Sequence, residues 1–215
     1  MARALIMDDL AGFVIAHAGM RQEFGRLARV ARAPRDAGHA ALIEEQIALT
    51  TDVLHCHHTG EDRDLWPLLR RRAPEAAGEL DALAAEHESV DPLLAAAADT
   101  SVMLAERAEV LDALHERINT HLDHEEAVAL PLMLDHLTLA EMEEIGRQAL
   151  AEIGRRRAPA VFGWYSSGAH KELRTAALAT VPPIPRFLFN RFWWPAYQRR
   201  FEALYGAAER ALLGV

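Results

Sequence analysis

His57-His58-Thr59-Gly60-Glu61-Asp62-Arg63-Asp64-Leu65-Trp66-Pro67 has a divergent second copy later in the chain, His121-Leu122-Asp123-His124-Glu125-Glu126-Ala127-Val128-Ala129-Leu130-Pro131. In both stretches a glutamate follows the leading histidine by four residues and a proline follows it by ten. Residues four apart on an α-helix share a face, with about 5–6 Å between Cβ atoms, so each His-xxx-Glu pair can address one point beside its helix. Each copy is preceded by an apolar segment with one histidine, His17 before the first and His87 before the second. The chain therefore reads as a duplicated helix pair: a histidine, then His-xxx-Glu, twice.

Working outward, almost everything around these stretches favours helix. Ala, Leu, Glu and Arg dominate and β-branched residues are sparse. The pattern predicts helices over about 8–32, 38–71, 74–98, 101–136 and 138–157. Pro34 closes the first, Pro67 kinks the second near its end, Pro74 opens the third, and Thr138-Leu-Ala-Glu141 opens the fifth as a capping box. Short links make neighbouring helices antiparallel. The expected fold is all-α, an up-down-up-down four-helix bundle over residues 1–157 with a C-terminal helical extension over 158–215.

The extension differs in composition. It holds eleven of the fourteen aromatic residues, and Val181-Pro-Pro-Ile-Pro185 divides it into two helical pieces. It reads as a helical hairpin packed on the bundle. Its Phe187–Pro195 stretch, with Arg199 and Arg200, suits packing on the bundle or on a second subunit, which would make a homo-oligomer. Docking to a membrane surface is the weaker alternative, because the chain is acidic overall.

Composition sets further bounds. The chain has 215 residues and a formal net charge of -9, a balance that argues against a nucleic-acid partner. Cys56 is the only cysteine and cannot form an internal disulfide, which fits a reducing cytoplasm. Asp8 and Asp9 precede a short apolar stretch that soon meets His17 and Arg21, a poor export signal. No apolar run approaches the roughly 20 residues of a membrane span.

Four helices can thus turn His17, His57, Glu61, His87, His121 and Glu125 towards one axis. Four imidazoles and two carboxylates exceed what one tetrahedral zinc takes. They suit two metals of intermediate softness with the carboxylates between them, and iron fits best. A single HxxxE is common on solvated helix faces. Two copies with matching prolines and two further histidines in register are much harder to obtain by chance.

At this point the sequence resembles the hemerythrin-like (HHE cation-binding) family, whose pattern H…HxxxE…H…HxxxE reads here as His17, His57-xxx-Glu61, His87 and His121-xxx-Glu125. The wording His17-Ala-Gly-Met-Arg21, His58-Thr-Gly-Glu-Asp62, Leu65-Trp-Pro67 and Glu86-His87 is similar to the actinobacterial type, as is Phe162-Gly-Trp164 in the tail. The resemblance implies two non-haem irons, oxygen-bridged, and binding or sensing of O2 or nitric oxide, or handling of peroxide or iron. It also implies a seventh ligand on the third helix, four residues after its histidine, where this chain has Asp91. The missing nitrogen motivates a second reading, a di-iron enzyme that reduces peroxide or nitric oxide or oxidises a small organic substrate. Iron storage fits less well, since ferritin-like sites use Glu-xx-His.

The remaining residues carry lesser expectations. His124 is a peripheral neighbour of the site, or an extra ligand. His55 and His58 point away from His57 by helical geometry and read as solvated or interfacial. Arg21 and Asp91 hold equivalent positions and could pair, or Asp91 could orient a ligand. Trp66 is a core or lid residue near the site. Phe13, Phe24, Leu54, Leu65, Leu114, Ile118 and Val128 are expected core, Cys56 a buried thiol, and His39, His115, His136 and His170 surface residues.

Overall fold

The computed structural model describes residues 3–213. A 3-10 turn, Met7–Leu10, leads into α1 (Ala11–Ala31), and α2 (Ala37–Gly60) follows after a short link. A π-helical turn, Glu61–Leu65, joins α2 to α3 (Trp66–Arg72); α4 (Ala77–Ala98) and α5 (Leu104–His136) complete the bundle. Then come α6 (Leu139–Ile153), α7 (Ala158–Gly168), α8 (Lys171–Thr180), α9 (Pro183–Leu188), α10 (Trp194–Tyr205) and α11 (Ala207–Ala211). Among the described residues there is no strand, only an isolated bridge between Ala4 and Thr138. No helix among them is long and apolar enough to cross a membrane.

Contacts close a ring: α1 packs on α2, α2 on α4, α4 on α5, and α5 on α1. Two apolar clusters fill it. One gathers Phe24, Leu27, Ile43, Leu54, Val90, Leu114 and Ile118. The other gathers Leu10, Leu65, Trp66, Leu69, Leu80, Leu83, Ala129 and Met133. Along the chain the clusters are met in alternating order: Leu10 before Phe24, Leu54 before Leu65, Leu83 before Val90, and Ile118 before Ala129. Each helix therefore runs opposite to the one before it, which is the up-down-up-down topology. On every helix the histidine falls between the two clusters, so the polar groups form one layer with apolar side chains on both sides.

The proline of the first motif has a visible backbone consequence. Pro67 has no N–H to give, and the helix widens just before it, with the Trp66 N–H bonding to the Glu61 carbonyl. Leu65 and Trp66 are consecutive, yet both are buried. The same widening, Phe189–Trp193, precedes Pro195. Pro131 in the second motif leaves α5 regular. At the start of α6, Thr138 and Glu141 form the expected capping box.

The extension is a chain of short helices rather than a two-piece hairpin, although the expected break does fall between α8 and α9. Val161, Trp164, Tyr197, Phe201, Leu204 and Tyr205 belong to the same apolar cluster as Phe24 and Leu114. The approach of α7 to α1 is close enough to need glycine. A Cβ on Gly168 would stand 2.0 Å from the Ala18 carbonyl oxygen, and one on Gly19 would stand 2.8 Å from the Tyr165 Cα. His39, expected at the surface, is buried instead. Its Nδ1 accepts from the Arg35 N–H at 3.1 Å, which leaves Nε2–H to donate to the Leu204 carbonyl at 2.8 Å. Nothing in α2 alone announces the extension that covers this polar ring.

Candidate metal centre

The polar layer contains two groups of donor atoms. His17, His57, Glu61 and Glu125 each bring one ligand atom to within 4.8 Å of the others, and His58, His87 and His121 do the same. All six residues singled out from the repeat thus lie in this layer. His17 and His57 meet edge to face at 5.3 Å between ring centroids. His87 Nε2 and His121 Nε2 are 3.2 Å apart.

The glutamates stand between the two groups. Glu61 Oε1 is 3.1 Å from His57 Nε2, while its Oε2 is 3.7 Å from His87 Nε2. Glu125 Oε2 is 3.7 Å from His17 Nε2 and 3.4 Å from His121 Nε2. All four carboxylate oxygens are buried without a hydrogen-bond partner, as are the Nε2 atoms of His17 and His57 and both nitrogens of His58. A buried polar atom left unpaired costs about 1–3 kcal/mol, more when charged. Eight such atoms within one layer are what a cation-binding pocket presents, and their N and O chemistry fits a first-row metal.

Charge follows the same geometry. Two carboxylates this close, sealed from water, cannot both ionise freely. Burial, reinforced by Glu125, pushes the Glu61 carboxyl well above its ordinary range. Burial alone would raise Glu125 too, but the His17, His121 and His57 imidazoles outweigh it and hold that carboxyl low. Burial, with His17 beside it, lowers His57 to about 3. His58 is likewise lowered well below its ordinary value by burial and His87. Both imidazoles are therefore neutral at ordinary pH, the form that binds metal.

Behind the layer, a set of acids aims the rings. Asp62 Oδ1 accepts from His87 Nδ1 at 3.0 Å, and Glu126 Oε1 from His17 Nδ1 at 3.0 Å. Glu86 accepts from His121 Nδ1 at 2.7 Å and from His124 Nδ1 at 2.8 Å. With Nδ1–H so engaged, Nε2 is left to face the pocket. Asp62 and Glu126 hold the same place in the repeat, one residue after each inward glutamate, so the doubled acid was the available sign of this role. Arg21 pairs with Glu126 at 3.2 Å and Asp123 at 2.7 Å, not with Asp91.

Several expectations change. His58 is not solvated: it is 3% exposed, stacked on His87 with centroids 4.0 Å apart and rings 6° from parallel. The layer offers two donor positions rather than one point. Two donor groups side by side let neighbours about 100° apart on one helix serve one group each. His55 is exposed, and its nearest acid is Asp91 at 3.4 Å on an open groove outside the layer. Asp91 therefore does not enter the pocket. His124 is peripheral and bears on Glu86. Phe13 lies 4.2 Å from the His17 ring and Trp66 stacks on His87 at 6.3 Å, both from the apolar cluster that holds Leu10 and Leu65.

A four-helix bundle with a largely buried His and Glu layer at mid-height defines a metal-binding bundle protein. Residues 10–133 match the family model described as the hemerythrin HHE cation-binding domain, and the chain belongs to that family. Searches of curated proteins and of solved structures return no match.

Proposed function

We propose that the layer holds two non-haem irons, ligated by His17, His57, Glu61, His87, His121 and Glu125, and that the protein binds or senses O2 or nitric oxide there. The observation that carries this reading is the placement of two glutamates between separate imidazole groups with every carboxylate oxygen buried and unpartnered. One ion would leave one group of imidazoles orphaned. Two ions sharing the carboxylates satisfy all of them.

The chain's own residues do three things in this account. Asp62, Glu86 and Glu126 hold the imidazoles in one tautomer and orientation. Phe13, Leu65 and Trp66 keep bulk water from the layer. Glu61 and Glu125 supply the negative charge that would balance the bound cations. An iron pair, when bound, supplies reversible electron exchange with a small diatomic ligand. The enzyme reading rests on the missing nitrogen donor at Asp91, and the gathering of His58 and His121 around His87 favours the binding reading over it. The lone Cys56 suits a reducing compartment, and we place the protein in the cytoplasm on that ground.

The test is an absorption cycle. Iron-loaded protein is reduced anaerobically, exposed to O2 or nitric oxide, then returned to its reduced state. A spectral change that repeats over several cycles supports the reading. A silent spectrum with both gases refutes it.

A further inference from the structure

We infer that His58, on α2, is a seventh protein ligand and a fifth imidazole of the site. The inference rests on the two-metal reading above and goes beyond its six residues.

Four observations converge. His58 is 3% exposed and neither ring nitrogen has a partner. A core histidine kept for packing would normally bond at least one nitrogen, as His39 does at both. Its ligand atom lies within 4.8 Å of those of His87 and His121, so the three imidazoles form one donor group. Its ring lies face on to His87 and edge on to His121, at 4.0 and 5.2 Å between centroids. Asp91, four residues after His87 on α4, is 54% exposed and paired with His55 outside the layer.

Helix geometry explains why the arrangement works. His57 and His58 diverge by about 100°, so a tandem pair straddles two ion positions with a single turn of backbone. His57 then serves the group of His17, and His58 serves the group of His87 and His121. Glu61, at the start of the widened turn, reaches both groups from the same helix. One helix thereby contributes a donor to each ion and a carboxylate between them.

The test counts imidazoles in the metal-loaded protein. Cobalt(II) is titrated anaerobically into the metal-free chain, and the exchangeable imidazole N–H signals, shifted by the paramagnetic ion, are counted by proton NMR. Five signals with two cobalt ions bound support the assignment, and His58→Gln should remove one of them. The same variant should weaken one of the two ions by at least about 100-fold, since even outer partners of a ligand are worth 10–100-fold. Asp91→Asn should change neither count nor affinity. Circular dichroism reports whether His58→Gln folds; the count on the unaltered chain decides the matter if it does not. Two ions with only four signals overturn the assignment and leave the two-metal reading standing. Failure to bind two ions overturns that reading, and this inference with it.

Discussion

Replacing Glu86 by Gln removes a negative charge from behind the site without touching an inward-facing residue. Glu86 sits on α4 immediately before His87 and accepts from His121 Nδ1 at 2.7 Å and His124 Nδ1 at 2.8 Å. Its side chain is about one-third exposed, so the variant should fold. A hydrogen bond to a charged group contributes about 1.5–3 kcal/mol, and partial exposure points to the lower half of that range. The amide oxygen can still accept a neutral bond worth about 1 kcal/mol, which leaves a net loss of roughly 1 kcal/mol. That corresponds to a factor of about 5–10 in metal affinity, at the foot of the range for outer partners of metal-bound histidine. Competition against a chelator of known affinity measures it, with Glu88→Gln, an exposed neighbour on the same helix, as the control. Burial opposes a high His121 pKa, but Glu125 and Glu86 together raise it, so Glu86→Gln should also lower the His121 pKa followed by NMR. Unchanged metal affinity, or an equal loss in Glu88→Gln, would refute the role given to Glu86.

Gly168→Ala should cost about 2 kcal/mol and lower the melting temperature by roughly 4–8 °C, because the new methyl meets the Ala18 carbonyl. Gly78→Ala, with open space around it, should instead stabilise slightly; equal melting points for the two variants would contradict the close approach of α7 to α1. Tyr205→Phe removes the donor to buried Glu23 Oε1 at 2.8 Å and should cost about 1–2 kcal/mol in urea unfolding; no loss would show that Gln46 alone satisfies that carboxyl. The metal-free protein should lose stability in acid. His57, lowered by burial from 6.5 to about 3, refuses a proton that the unfolded chain accepts below 6.5, and His58 acts in the same direction. Glu61 and Glu23 oppose them, each keeping a proton the unfolded chain releases above 4.5. Between 6.5 and 4.5 the two pairs work against each other. Below 4.5 that opposition ends, while His57 still refuses a proton and Glu125, held low by the imidazoles around it in spite of its burial, refuses one as well, so stability falls as pH falls. Urea midpoints that stay flat from about pH 4.5 to 3 would contradict this.

Much of the bundle could be read from the sequence because its determinants are local. Periodicity, Pro34, Pro74 and the Thr138 capping box mark helices without reference to the rest of the chain. The repeat also carried residues that meet in the layer, since i, i+4 spacing is a property of one helix. What escaped was set between elements. His58 was misjudged because the pocket holds two donor groups rather than one point, a fact visible only when four helices meet. His39 was misjudged because α10 covers it from more than 160 positions away. The Asp62 and Glu126 partnerships were latent in the doubled acids Glu61-Asp62 and Glu125-Glu126. Which imidazole each second acid would meet depended on helix order, which no single motif contains.

The central claim is that two ions sit between the imidazole groups and share Glu61 and Glu125. Mössbauer spectroscopy of the oxidised protein loaded with iron-57 tests it most directly. Two irons per chain, magnetically coupled into a diamagnetic pair, are the predicted result. A single iron per chain, or two that behave as independent paramagnetic ions, would contradict it.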